Sequence, residues 1–223
     1  MNSDSELFAV GRTINVRRNF YISMSANRPT NAKFEQCNME VGSIMFDFYD
    51  KAQSANYTYL NVIDSNVNVK GDLSCLIPAN DRFENPVPRG VTIFASGKSK
   101  LTFNGGAIID EIFNISPNEW FFKWCFEEKG GEIGYVFFNK KAVFDSCILE
   151  LKVSSNIRRG RHVLMDLANN KSSFNPMRII FNGKPYSFGE TVMLGDKSVK
   201  VELGYSPNGR DLRNKNDIIM EVK

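Results

Sequence analysis

The chain has 223 residues, a formal net charge of +3, 42% hydrophobic and 24% charged residues. That balance suits a globular chain long enough to bury a core without disulfides or metals. The weak positive charge gives little footprint for a duplex-binding domain, and no apolar run reaches the length of a membrane span.

Phe is frequent at 18 residues, and Asn reaches 24. Asn favours turns, because its side chain bonds nearby backbone and tolerates left-handed geometry. Many Asn between short aromatic and β-branched runs predict short strands joined by many turns. The four cysteines, Cys37, Cys75, Cys125 and Cys147, lie too far apart in sequence for a zinc knuckle or a redox pair. The start, "MNSDSELFAVG", lacks a basic-then-apolar signal segment. The expectation is an intracellular chain with reduced thiols, which includes a particle assembled in cytoplasm.

In chain order, "RTINVRRNFYISM" predicts a strand or a bent pair, broken at "NRPTN". "KFEQCNMEV" alternates strictly yet presents no single apolar face. "SIMFDFYDKAQSAN" reads as a strand to Tyr49 entering a turn, with a short helix as the alternative, and "YTYLNVIDSNVNVKGDLSCLI" as two strands. "PANDRFENPVPRG" is a proline-rich loop, and "VTIFASGKSKLTF" reads as a hairpin turning at Ser96-Gly97-Lys98. The stretch from Glu119 to Val153 predicts consecutive antiparallel strands with turns at Gly130-Gly131 and Asn139-Lys140. "HVLMDLA" is a short strand or a single helical turn. "MRIIFNGKPYSFGETVMLGDKSVKVELGY" reads as a meander. Asn182-Gly183 is its strongest hairpin signal and Gly195-Asp196 its second turn. "IIMEVK" reads as a final strand. An echo links "VIDSNVNVK" from Val62 to "VFDSCILEL" from Val143, which a duplicated β unit would explain. The fold expected is therefore all-β and antiparallel, a sandwich or barrel with very little helix. It forms one domain over 1–223, as one unit or as two similar halves, 1–104 and 105–223.

Glu150-Leu151-Lys152 on a strand is the spacing by which many metal-dependent nucleases hold a cation. A second carboxylate has to come from a neighbouring strand. Asp145 is on the same stretch, Asp110 is forty residues away, and Glu132 falls in a turn. Acid-x-Lys also occurs at Glu127/Lys129 and Glu221/Lys223, about as often as composition allows. Glu150 and Lys152 are thus expected as surface charges, with Leu149 and Leu151 facing the core. The single histidine, His162, leaves no His-rich metal site. Two basic clusters, Arg12, Arg17 and Arg18, and Arg158, Arg159 and Arg161, read first as solvated turns. Trp120, Phe122, Trp124 and Phe126 share one side of a strand: a core stripe first, and a stacking platform for sugars or single-stranded nucleic acid second.

No catalytic, cofactor or metal residue is assigned. The expected function is non-catalytic: a structural or assembly protein, specifically a virion component such as a bacteriophage tail-tube, baseplate or capsid-associated protein. It would associate with copies of itself and other virion proteins, without a membrane, in a virion assembled in host cytoplasm. The lack of an assembled catalytic constellation and the Asn-, Lys- and Phe-rich usage of an AT-rich genome motivate this. The apolar strands at residues 13–22 and at "DIIMEVK" are the expected subunit contacts. The alternative is a single-stranded nucleic-acid-binding β-barrel using Trp120, Trp124 and Arg158 to Arg161. The second alternative is the metal-dependent nuclease with Glu150 and Lys152.

Overall fold

The computed structural model describes residues 5–24, 30–48, 56–76, 89–109, 120–169, 171–204 and 216–223. These residues form strands and turns without a helix. The strands wind into a β-solenoid whose sheets are mostly parallel, which corrects the expected antiparallel sandwich or barrel.

Each coil lays one strand on each of three faces. The first coil is β1 (Ser5–Val10), β2 (Thr13–Val16) and β3 (Phe20–Met24); the second is β4 (Thr30–Glu35), β5 (Asn38–Val41) and β6 (Ile44–Phe48). The third is β7 (Asn56–Ile63), β8 (Asn66–Val69) and β9 (Leu73–Leu76), and the fourth is β10 (Arg89–Ser96), β11 (Lys100–Phe103) and β12 (Ala107–Ile109). The fifth begins with β13 (Trp120–Lys129), doubles back briefly in β14 (Glu132–Ile133), and continues through β15 (Tyr135–Phe138) and β16 (Val143–Asp145). The sixth is β17 (Ile148–Lys152), β18 (Gly160–Leu167) and β19 (Ser173–Asn175). The end is built from β20 (Arg178–Phe181), β21 (Lys184–Pro185), β22 (Thr191–Leu194), β23 (Lys197–Gly204) and β24 (Asp217–Val222).

Alternation decides which side chains enter the interior, and stacking puts them in columns. On the first face Ala32, Leu60, Ile93, Trp124, Leu149 and Ile179 stand in register, all buried. On the second face Val41, Val69, Phe103, Phe138 and Leu167 do the same. Phe103 and Phe138 stack with centroids 4.5 Å apart, close to the spacing of neighbouring strands.

The corner between the first and second faces explains why "KFEQCNMEV" shows no clean face. Gln36 (φ 53) and Asp64 (φ 47) bend the chain through left-handed geometry, as Gly11 and Gly97 do in their coils. The bend resets the phase of alternation, so Phe34 before it and Met39 after it both point inward. Each corner amide donates to the next coil: Gly11 to the Glu35 carbonyl (2.9 Å), Gln36 to Ile63 (2.9 Å), Asp64 to Ser96 (3.1 Å) and Gly97 to Glu127 (3.0 Å). Just past the bend Cys37, Ser65 and Ser99 form a buried column. The Ser65 hydroxyl accepts from the Cys37 amide at 2.9 Å, and the Ser99 hydroxyl donates to the Val62 carbonyl at 2.8 Å.

At the next corner backbone stacks on backbone. The Gly71 amide donates to the Gly42 carbonyl at 2.6 Å, and the Gly105 amide to Gly71 at 2.9 Å. A Cβ at Gly71 would lie 2.2 Å from Ser43 Oγ and 2.9 Å from the Gly42 carbonyl oxygen, so only glycine fits without a shift. Asparagine serves outside as well as in turns: Asn31 bonds Asn61 (2.7 Å), Asn38 bonds Asn66 (3.2 Å) and Asn68 bonds Asn104 (3.1 Å), each from one coil to the next.

Two-residue hairpins occur at Gly130-Gly131 and Asn182-Gly183, where both residues have positive φ, and at Gly195-Asp196, where Gly195 does. The turns at Ser96 to Lys98 and at Asn139-Lys140 carry the chain from one face to the next instead. The echo joins two different corners, since Asp64 leads from the first face to the second and Ser146 from the third to the first. The repeating unit among the described residues is one coil. β24 is also not an exposed edge: it lies antiparallel between β18 and β23, with Ile218, Ile219, Met220 and Val222 buried.

Candidate functional site

Glu150 sits on the outward side of β17, with Leu149 and Leu151 buried beneath it. Its partner is Lys123 of β13, at 3.1 Å, rather than a second carboxylate. Lys152 lies over the Phe94 ring, 5.3 Å from its centroid. Asp145 ends β16 on another face, and Glu132 pairs with Arg158. Asp110 lies outside the described residues, and no group of three or more His, Cys, Asp or Glu that could hold a metal forms among the described ones. The nuclease arrangement is therefore not assembled there.

The nucleic-acid alternative needs rings and arginines on one surface. Trp124 is 0% exposed and packs edge-on against Phe138 and Phe144 in the core. Phe122 and Phe126 are buried with it, so this side of the stripe is core; the Trp120 side chain lies outside the described residues. Arg159 pairs with Asp196 at 2.7 Å, Arg158 with Glu132, and Arg161 is also engaged. His162 Nε2 lies 2.8 Å from the Arg158 carbonyl oxygen, which ties it to the same turn. Arg12, Arg17 and Arg18 flank β2 in the first coil.

All four thiols are free and buried. Burial pushes the Cys125 thiol up to about 12 and the Cys147 thiol well above its ordinary range, which leaves little thiolate for nucleophilic or redox chemistry.

Two polar clusters were not visible in the sequence. At the first corner Lys129 bridges Asp64 (2.8 Å) and Glu35 (3.3 Å), and Lys33 adds a second contact to Glu35 (3.1 Å). Hydrogen bonds from Lys33 and Lys129 hold the Glu35 carboxyl below its usual range. Burial opposes ionisation of Asp64, but bonds from Lys129 and the Lys98 amide outweigh it and lower its pKa. On the second face Asp166 is 2% exposed; Tyr135 donates to its Oδ2 at 3.3 Å, and Oδ1 has no partner among the described residues. Burial first, then the Asp166 charge, raises the Tyr135 phenol.

The outward side of the first face groups aromatic rings with lysines. Tyr57 and Phe121 lie 5.7 Å apart, and Tyr59 and Phe94 lie 6.3 Å apart. The lysines Lys123 and Lys152 stand beside these rings. Sequence reasoning weighed the other side of β13, where the tryptophans drew attention; Phe121 and Lys123 alternate with that core side.

The first coil is the second distinctive surface. Among the described residues β1, β2 and β3 each pair on one side only, with β4, β5 and β6. Leu7 is in register with buried Ala32 and so points toward the interior, yet it is 48% exposed. Ala9, Ile14, Val16 and Phe20 likewise point at the core and are only partly covered. At the far end Tyr186 is buried and bonded to the Val201 backbone, and Phe188, Val192 and Leu194 pack over the core. No known protein family, curated protein or solved structure matches the chain.

Proposed function

We propose that the chain is a non-catalytic structural protein that assembles through its first coil, most specifically a virion component such as a baseplate, tail-tube or capsid-associated protein. The observation that carries this is the uncovered core at the N-terminal end. Leu7 aims into the interior and remains half exposed, at the end of a coil whose three strands have no outer strand partner among the described residues. Unpaired strand edges invite pairing, and an apolar core end gains by being covered. The partners are copies of the chain and other virion proteins, in a virion assembled in host cytoplasm and without a membrane. The buried position of β24 removes the C-terminal strand from the expected contacts, so the proposal rests on β1 to β3.

Light scattering after gel filtration tests it. An oligomer is expected for the wild type, and Leu7→Lys should shift it to monomer by placing a charge at the core end. A wild type that stays monomeric across the accessible concentration range would overturn the self-association.

A further inference from the structure

The geometry points to a saccharide-binding face: the outward side of the first sheet, around Tyr57, Tyr59, Phe94 and Phe121, is built to hold a neutral polysaccharide chain. It does not depend on the assembly reading, because it uses a different surface.

The rings do no work in the core. They stand on outward positions, alternating with buried Thr58, Leu60, Ile93 and Phe122. The second face fills such positions with Asn38, Glu40, Asn66, Asn68, Lys100 and Thr102, and turns aromatic only in β15, at Tyr135 and Phe137, where Tyr135 is engaged with Asp166.

A gap in the sheet sets how Phe121 lies. In register, Gly90 of β10 stands between Tyr57 of β7 and Phe121 of β13. A Cβ at Gly90 would come 2.2 to 2.4 Å from Phe121 ring atoms, so that ring lies across the glycine. This brings Phe121 within 5.7 Å of Tyr57 although their strands are not neighbours. A ring lying on the sheet turns its other face outward. With the Tyr59–Phe94 pair it makes a shallow aromatic surface across β7, β10 and β13. With Lys152 of β17 included, the patch runs three strand spacings, about 14 Å, along the solenoid axis. A ring face is electron-rich and attracts the positive C–H edges of a sugar.

Charge selects the occupant. Lys123 is neutralised by Glu150 at 3.1 Å, and Lys33 by Glu35 at 3.1 Å. Lys152 stands in register with Glu127. The face therefore has almost no excess positive charge, whereas a polyanion such as single-stranded nucleic acid needs one to release counterions. What remains beside the rings is a balanced set of donors and acceptors, Lys123 with Glu150 and Asn31 with Asn61, suited to hydroxyl groups.

Native electrophoresis through gels cast with dextran, galactomannan or hydroxyethylcellulose tests this. At least one polymer should retard the protein. Tyr59→Ala and Phe121→Leu should each weaken retardation about tenfold, the equivalent of 1.4 kcal/mol; leucine keeps Gly90 covered while removing the ring. Lys152→Ala, at an exposed position, is a second probe that leaves packing intact and should weaken retardation. Leu7→Lys should bind as the wild type does, whatever its oligomeric state. Free migration in all three polymers would overturn the proposal. So would retardation unchanged in the Tyr59, Phe121 and Lys152 variants, or capture of poly(dT) at low salt in place of the neutral polymers.

Discussion

Ser65→Ala tests the solenoid corner directly. Ser65 is 1% exposed, in the turn between β7 and β8. Its hydroxyl accepts from the Cys37 amide at 2.9 Å and donates to the Ile63 carbonyl at 2.7 Å. The two bonds are unequal in consequence. The Ile63 carbonyl also accepts from the Gln36 amide at 2.9 Å and stays satisfied without the hydroxyl. The Cys37 amide is left buried without its partner, which costs roughly 1–3 kcal/mol. The expected loss is therefore about 2 kcal/mol, while a serine in an exposed turn would change stability by less than about 0.5 kcal/mol. Ser65→Cys should fall between, because Cys37 itself contacts backbone carbonyls from this column, at 3.3 and 3.4 Å. Urea unfolding with unchanged slope gives the difference, and amide exchange at Cys37 reports the lost bond. A loss below about 0.5 kcal/mol with Cys37 still protected would refute the stacked column.

Gly71→Ala should destabilise by about 1–3 kcal/mol in the same assay, since its Cβ would press on the Gly42 carbonyl and on Ser43; an unchanged midpoint would refute the close backbone stack. The corner charges predict a pH window. Lowered carboxyl pKa values at Glu35 and Asp64 stabilise the fold above the ordinary carboxylate range, and that contribution is lost as pH falls through the folded values. The raised Lys129 value adds stability below the ordinary lysine range, lost as pH rises through the folded value. Lys129→Ala should therefore raise both carboxyl titration midpoints by NMR, and unchanged midpoints would remove the network.

All-β character, the hairpins at Asn182-Gly183 and Gly195-Asp196, and the inward placing of Leu149 and Leu151 were legible because each is a local matter. Period two and left-handed turn residues report on their own segment. The parallel winding was not legible from single segments, because alternation is the same in both kinds of sheet. Its signal was the recurrence of "RTINV", "CNMEV", "SNVNV", "SKLTF" and "GYVFF" at Arg12, Cys37, Ser65, Ser99 and Gly134. Their spacing, roughly 25 to 35 residues, lies in the range of solenoid repeats. Variable third-face connections and sequence drift from Asn to aromatic residues hid it. The charged corner was out of reach for a related reason: Glu35 and Lys129 are 94 positions apart and meet only through stacking.

The two ends of the solenoid set what assembly can look like. Among the described residues the N-terminal end offers three edges around an open core, and the C-terminal end offers the short edges of β19, β21 and β22 outside a covered core. Head-to-tail stacking would place unlike ends together, with an open apolar core meeting one already covered by Phe188, Val192 and Leu194. Two N-terminal ends present the same edges and the same apolar centre to each other. Such a contact is isologous, so it closes on itself as a pair and does not propagate. Contact through the first coil alone thus favours a closed pair over a continuous tube. A tube would require a lateral contact as well, and the flat outward sides of the three faces are where it would have to form.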